Sequence, residues 1–279
     1  MANSPPSLPQ TEEIRGTRRL LIFLRFSLLG YTPGASAQKQ RTNDVLRNFK
    51  QTRGEVGRPS NKTEAKRPLG LGHTIFKKNS NGQPVRVSSS QEFYEGDAVR
   101  FMIESNITGY LYIFHREDNE LPKMLFPSNR LQASKNSIKA HVPYEVPSSR
   151  EADPQFRWFY FLNDRLVFER FYFVVTREPL PEVPIEEKLA AYCGENSKDC
   201  YWKPTNLHWT QILADASKIE SRESQEQASG RQQVAVERNS ITRDVGLPPG
   251  APSPAKVKMN ISQRAGMLMR EVVLVHKSK

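Results

Sequence analysis

The residue types that can carry chemistry are concentrated at His115-Arg116-Glu117-Asp118, after an apolar run. An imidazole beside carboxylates can exchange protons as a general acid and base, which is the chemistry of a hydrolase. The same four residues also fit a charged, solvated hairpin tip, and both interpretations stay open. The chain contains no nucleophile elbow, no phosphate-binding glycine loop and no His-Glu metal spacing. The sequence therefore predicts no enzyme, no cofactor and no metal site.

Two cysteines, Cys193 and Cys200, predict a local disulfide. A chain that is exported meets an oxidising environment in which such a pair forms. His208 would extend the pair to a metal set, but zinc sites normally show tighter cysteine spacing and a fourth ligand. We expect the disulfide to pin a local turn.

The densest aromatic region of the chain is residues 156–173. Exposed rings there would form a stacking platform for a sugar or a peptide, and we predict Trp158, Tyr160 and Tyr172 as its ligand-binding residues. Apolar residues alternate near the end of the region, which equally fits the buried face of a sandwich core. The exposure of the rings separates the two interpretations.

The elements around these residues read as β-strands. Val99, Phe101 and Ile103 alternate with polar or small residues, as on a strand with one buried face. Residues 110–114 are apolar on both faces, which is typical of a covered, central strand. Asn81-Gly82 lies between two β-rich runs and predicts a hairpin. Asp97 is expected to bond nearby backbone N–H groups in a turn.

The N-terminal residues have the order of a secretory signal peptide. Three arginines precede an apolar run, and Ala35-Ser36-Ala37 follows it. The run has about 12 residues, whereas a membrane-spanning helix needs about 20. We predict cleavage after Ala37, and Arg25 within the run leaves an uncleaved interfacial anchor as the alternative. No later segment is apolar over the length of a bilayer, so we expect a secreted or periplasmic chain without a transmembrane segment.

The formal charge of +11 is unevenly distributed along the chain. Residues 38–68 carry a net charge of +6, whereas residues 69–279 carry only +3. A basic segment with few apolar residues does not order itself, so we predict a disordered linker at 38–68. It would act either as a spacer or as an electrostatic contact with anionic surfaces. Nucleic acid is not an expected partner, because no aromatic residues interleave the basic ones.

These patterns predict a mostly β fold, an antiparallel β-sandwich that is immunoglobulin-like in general architecture. A short helical insertion interrupts it, and apolar C-terminal strands return to its sheets, because they would aggregate if left exposed. The predicted segments are a signal peptide (1–37), a disordered basic linker (38–68), the sandwich (69–183), a helical segment (184–216), a polar linker (217–254) and the completing strands (255–279).

The chain also resembles a bacterial domain family of unknown function that occurs in exported and envelope-linked proteins. The matching residues are Phe93, Gly96-Asp97, Val99-Arg100-Phe101, Gly109-Tyr110-Leu111-Tyr112, Leu125-Phe126-Pro127, Asn136 with Ile138, Pro147, and Glu169-Arg170-Phe171-Tyr172-Phe173-Val174-Val175. The longer pattern is similar to a subgroup of stand-alone exported proteins. The family implies no catalytic residues, and it is similar to modules joined elsewhere to signalling kinases or caspase-like peptidases.

We therefore expect a non-enzymatic binding or sensing module that acts through protein interaction at the bacterial cell envelope. Carbohydrate or cell-wall binding through the aromatic region is the alternative. An uncharacterised hydrolase built on the His115 cluster is the second alternative. The partner would be an envelope protein or a glycan.

Overall fold

A computed structural model describes residues 44–53, 67–128, 135–162, 165–194, 200–227, 229–263 and 265–278. The predicted signal segment, with its cleavage site after Ala37, lies outside these residues. The strands are β1 (Gly70–Lys78), β2 (Pro84–Val87), β3 (Glu92–Tyr94), β4 (Ala98–Ser105), β5 (Gly109–Glu117), β6 (Lys123–Phe126), β7 (Ser137–Ile138), β8 (Pro143–Val146), β9 (Phe159–Tyr160), β10 (Val167–Thr176), β11 (Ser221–Glu223), β12 (Lys256–Asn260) and β13 (Met267–Lys277). The α-helices are α1 (residues 44–51), α2 (Glu186–Cys193), α3 (Asn206–Ser217) and α4 (Ala235–Arg243).

The strands form two sheets. Sheet A has the order β11-β12-β1-β4-β8, with β2 paired to β1 and β9 paired to β4. Sheet B has the order β3-β13-β10-β5-β6, with β7 paired to β5. All pairs are antiparallel except that of β3 with β13. The predicted mostly β sandwich is confirmed, including the C-terminal strands, since β12 pairs with β1 and β13 pairs with β10.

The main core lies between the sheets and follows from period-two alternation. Val99, Phe101 and Ile103 of β4 point inward and are fully buried. The ring centroid of Phe101 lies 4.6 Å from that of Phe171 and 5.1 Å from that of Phe173, both on β10. Phe171 and Phe173, near the end of the aromatic region, are therefore core residues.

A second core covers the outer face of sheet B. Tyr112 and Phe114 of β5 are fully buried there, which explains why this strand is apolar on both faces. Helix α3 provides the cover, with the Trp209 ring 5.3 Å from Phe114 and 4.9 Å from Tyr172. The hydroxyl of Thr205 accepts the N–H of His208 and fixes the start of this helix.

Residues 44–53 correct the expectation of a disordered linker across 38–68. They form α1 and its last turn, in which Val45 and Phe49 lie one helical turn apart and are buried. Arg53, at the end of this segment, is also buried. The average composition of the basic segment conceals this short apolar stripe. Residues 38–43 and 54–66 of the predicted linker lie outside the described residues.

Two glycines of β1 make the surface on which α1 packs. A Cβ atom on Gly70 would lie 2.8 Å from Phe49 Cδ2, and one on Gly72 would lie 2.5 Å from Pro254 Cγ. Both distances are shorter than van der Waals contact. Helix α1 and Pro254 can approach sheet A this closely because β1 has no side chains at these positions.

Residues 217–254 likewise differ from the polar linker that the sequence predicts. They contain β11 and α4, and α4 packs on the outer face of sheet A. Glu237 of α4 is fully buried and forms an ion pair with Arg86, and Ile241 packs beside Met102. Buried polar pairs stabilise this segment more than buried apolar side chains do, so apolar periodicity does not predict its structure.

In the described part of the chain, none of the helices reaches the length and apolar content needed to cross a bilayer.

Candidate functional site

A cleft of about 450 Å³ opens between the ends of the two sheets. Strands β5, β6 and β10 of sheet B supply its polar side, and β9 with the end of β4 supplies much of its apolar side. The lining residues are Val99, His115, Glu117, Lys123, Leu125, Phe159, Tyr160, Phe161, Leu162, Glu169, Phe171 and Tyr201. This cavity combines aromatic rings with several titratable groups, which is the usual character of a binding site.

Three titratable side chains converge on the floor of the cleft. His115 and Glu117 are two residues apart on β5 and so share one face. On β10, Glu169 lies directly opposite Glu117, and Phe171 lies directly opposite His115. The register between the two strands therefore assembles the group.

His115 and Glu169 form a buried pair. His115 Nε2 is hydrogen-bonded to Glu169 Oε2, and both side chains are more than nine-tenths buried. The His115 ring lies 4.7 Å from the Phe171 ring. Its other nitrogen, Nδ1, is buried and has no hydrogen-bond partner among the described residues.

Glu117 and Glu169 are like charges in a direct cross-strand pair, an arrangement that is normally destabilising. Glu117 Oε2 lies 3.7 Å from Arg165 Nη2, a long and half-exposed ion pair. Lys123 is the one ammonium group on the lining, and its Nζ lies 5.6 Å from the Tyr201 ring. Glu117 is therefore the floor carboxylate with the weaker partner, and it is the group that a positively charged ligand group would meet.

The aromatic wall continues beyond the cleft. A neighbouring cavity of about 260 Å³ shares Leu125, Phe159, Tyr160, Leu162 and Tyr201 with it, so the two form one groove. Leu162 is 78% exposed and Tyr160 is 40% exposed. Exposed apolar side chains next to a groove mark sites of interaction.

Further apolar side chains are exposed on the adjoining turns. Leu121 follows β5, and Leu166 and Phe168 lie at the start of β10. Asp118 joins these turns, because its Oδ1 accepts the N–H of Phe168. We name these exposed side chains, together with Leu162 and Tyr160, the apolar rim of the cleft.

Comparison with known protein families identifies part of the chain. A domain of unknown function, DUF4384, is found at residues 92–179. The DUF4384 region runs from β3 to just beyond β10, and it supplies every lining residue of the cleft except Tyr201. Neither a curated protein nor a solved structure matches the chain.

Two of the three rings predicted to bind ligand border the groove, and the third does not. Trp158 is buried on the outer face of sheet A, where the guanidinium carbon of Arg100 lies 4.0 Å from its ring centre. Tyr172 is buried on the outer face of sheet B, and burial together with the charge of Glu271 raises its pKa to about 12. Tyr160 lines the cleft. The predicted platform of three rings is therefore corrected to a groove that Tyr160 and Trp158 line and Tyr172 does not.

The four residues first considered for acid and base chemistry also separate. His115 and Glu117 line the cleft, whereas Arg116 lies on the other face of β5 over the Tyr172 ring. Asp118 is a turn residue with a φ of 45°, and the N–H of Phe168 lowers the pKa of its carboxyl. The partner that local sequence did not supply is Glu169, which comes from β10.

Cys193 and Cys200 are joined by a disulfide. It connects the end of α2 to the segment that carries Tyr201, and the carbonyl of Trp202 in that segment accepts the N–H of Met124 on β6. The disulfide and this bond together hold Tyr201 beside the cleft. His208 is not near a metal set; its ring packs against Trp202, and the described residues contain no group of three or more potential metal ligands.

A second buried polar group has the order of a hydroxyl, an imidazole and a carboxylate. Thr52 Oγ1 lies 2.6 Å from His141 Nε2, and His141 Nδ1 lies 2.8 Å from Glu104 Oε1. Arg53 donates two further hydrogen bonds to the Glu104 carboxylate, and the Thr52 hydroxyl donates to the carbonyl of Phe49. His141 and Glu104 are fully buried, so this group fastens α1 to sheet A.

Proposed function

We propose that this protein is a non-enzymatic binding module of the bacterial cell envelope that holds a segment of a partner protein in the cleft. The observation that carries the proposal is the combination of an aromatic groove with the cross-strand carboxylates Glu117 and Glu169. The domain of unknown function accounts for most of the lining but names no ligand.

The partner segment carries a lysine or arginine next to apolar side chains. Its cation meets the carboxylates on the floor, and its apolar side chains cover Tyr160 and Leu162 on the rim. An apolar wall with a few convergent polar groups is the usual design of a site that fixes orientation as well as affinity. Complementary charge also discourages acidic competitors.

Recognition fits the floor better than catalysis does, because neither nitrogen of His115 is exposed to the cleft. A general base must reach the proton that it removes from the substrate. Nε2 of His115 is hydrogen-bonded to Glu169, and Nδ1 is buried. A hydrolase therefore remains the second alternative, and carbohydrate or cell-wall binding through the aromatic residues of 156–173 remains the first.

A fluorescent hexapeptide with alternating lysine and phenylalanine tests the proposal against its glutamate counterpart and a cell-wall oligosaccharide. Fluorescence anisotropy should show binding of the lysine peptide alone, weakened about tenfold by Glu117→Gln and by Tyr160→Ala. Tyr192→Ala is the matched control, since Tyr192 is an exposed tyrosine on α2.

Equal binding of both peptides, or binding that is unchanged by the cleft variants, would overturn the proposal. Binding of the oligosaccharide alone would favour the carbohydrate alternative. Cleavage of the peptide that is lost in His115→Ala would show a hydrolase.

Export is proposed from the order of charges and apolar residues at the N-terminus, and the disulfide supports an oxidising compartment. Fractionation of the producing cells and N-terminal sequencing test it. The expected mature chain begins at Gln38 and lies outside the cytoplasm. A full-length chain in the cytoplasmic fraction would contradict export.

A further inference from the structure

The inward face of β12 is polar, although most of the space between the sheets is apolar. Lys256, Lys258 and Asn260 alternate along this face, and Lys256 lies directly opposite His73 on β1. Arg270 lies on the same face of β13 as the core residues of that strand, and it is 7% exposed. These five residues, with Glu223 of β11, form a group that we name the basic slot.

Positive charge exceeds negative charge in the basic slot. Arg270 Nη1 lies 2.6 Å from Glu223 Oε1, and Lys256 Nζ lies 3.3 Å from Glu223 Oε2. Lys258 lies opposite Glu223 in the ladder of β11 and β12. One carboxylate therefore faces three cationic side chains within the described residues. Buried charges that are not compensated are costly.

Burial is the main cause of two lowered pKa values in the basic slot, and neighbouring positive charges contribute to both. Burial, followed by the charges of Arg270 and Lys256, holds the pKa of His73 well below 6.5. Burial also lowers the pKa of Lys258, the charge of Glu223 opposes this, and the charge of Arg270 adds a smaller lowering. Both shifts reflect a local environment that disfavours additional positive charge.

Several polar atoms in the basic slot have no hydrogen-bond partner among the described residues. They are Nε of Arg270, Nδ1 of His73, and both amide atoms of Asn260, and all three residues are more than nine-tenths buried. Buried polar atoms are nearly always paired, because each unpaired one costs free energy. The donors of Arg270 and Asn260 require an acceptor.

We propose that the basic slot binds a small oxyanion, a phosphate or a carboxylate group. A guanidinium group recognises the oxygens of either anion with parallel hydrogen bonds, and Lys258 supplies a second positive charge. The edge of the slot reaches the surface, since the Lys256 and Glu223 side chains are 29% and 40% exposed. It shares no residue with the cleft.

Thermal unfolding and calorimetric titration of the full chain test the proposal, with inorganic phosphate, acetate and chloride at equal ionic strength. Phosphate or acetate should raise Tm above its value in chloride, and the titration should give a saturable isotherm. Arg270→Gln should weaken binding at least tenfold. Lys258→Met, at a partly exposed position, provides a second variant with the same expected direction if Arg270→Gln does not fold.

Arg170→Gln is the matched control, because Arg170 is on neighbouring β10 and pairs with Glu271 outside the basic slot. Its anion binding should equal that of the wild type. A response to phosphate alone identifies a phosphate site, and a response to acetate alone identifies a carboxylate site. An equal Tm in all three salts, or binding unchanged by Lys258→Met, would overturn the proposal.

Discussion

Glu117 on β5 and Glu169 on β10 are direct cross-strand partners at the floor of an aromatic cleft. The two carboxylates differ in burial and in their hydrogen-bond and ion-pair partners. Glu169 is buried and hydrogen-bonded to His115, whereas Glu117 has only a long contact with Arg165. Glu117, the less compensated member of the pair, is therefore the one that a cationic ligand would stabilise most.

Glu117→Gln should raise the free energy of unfolding by about 0.5 kcal/mol, because it removes a like-charge cross-strand pair. Urea unfolding at neutral pH and low salt measures this change. Glu120→Gln, in the exposed turn after β5, should have no effect. A loss of stability in Glu117→Gln would show that Glu117 is already compensated.

Gly72→Ala should destabilise the fold by about 1–3 kcal/mol, because its Cβ would overlap Pro254. Helix α1 should also loosen, so trypsin should cleave faster at Arg47 and Lys50. Gly250→Ala is the control, since a Cβ there meets no atom within 4 Å. Equal effects of the two substitutions would contradict the close packing of Pro254 on β1.

Arg53→Met should cost about 3–5 kcal/mol at neutral pH, because it leaves Glu104 buried without its guanidinium partner. Burial alone would raise the pKa of Glu104, but His141 and Arg53 lower it below 4.5. In the wild type this carboxylate stabilises the fold above pH 4.5, and that stability is lost as the pH falls through its folded pKa.

In Arg53→Met, burial prevails and the pKa of Glu104 should rise. The stability deficit of the variant should then narrow between pH 7 and pH 5, as measured by urea unfolding across that range. Arg47→Met, which removes an exposed ion pair with Asp44, should change stability by at most about 0.5 kcal/mol. A deficit that is constant with pH would contradict the assignment.

Reduction of the disulfide, or the double substitution Cys193→Ala with Cys200→Ala, should lower stability by about 2–3 kcal/mol. Because the disulfide helps to hold Tyr201, affinity for the cleft peptide should fall as well. Thermal unfolding with and without reductant measures the first effect. Reductant should not change the thermal stability of the double variant. If reductant also leaves the stability of the wild type unchanged, the disulfide does not stabilise the fold.

The three tryptophans should be protected from solvent. Trp158, Trp202 and Trp209 are all buried, so acrylamide should quench their fluorescence weakly. Leu162→Trp adds an exposed ring on the apolar rim and should add a strongly quenched component. Protection of that component by the lysine peptide would locate the peptide at the cleft. Strong quenching of the wild type would contradict the burial of Trp158.

Local sequence patterns predicted individual strands and turns well. The hairpin expected at Asn81-Gly82 joins β1 and β2, with Lys78 opposite Pro84. Asp97 Oδ2 accepts the N–H of Tyr94 at 3.0 Å, as expected of a turn residue. These features depend on neighbouring residues alone, which is why the sequence contains enough information for them.

The assembly of the cleft could not be predicted in the same way. The meeting of His115 with Glu169 depends on the register between β5 and β10, which local periodicity does not specify. Helix α1 and α4 were missed because each buries few apolar residues and relies on buried ion pairs, Arg53 with Glu104 and Arg86 with Glu237.

The position of β13 separates the unit of sequence similarity from the unit of folding. Within residues 92–179, β4 pairs with β1, and both β3 and β10 pair with β13. Strands β1 and β13 themselves lie outside that range. A fragment cut at the boundaries of the match would expose open edges on both sheets and would aggregate. Experiments on this domain should therefore use a fragment that retains β1 and β13.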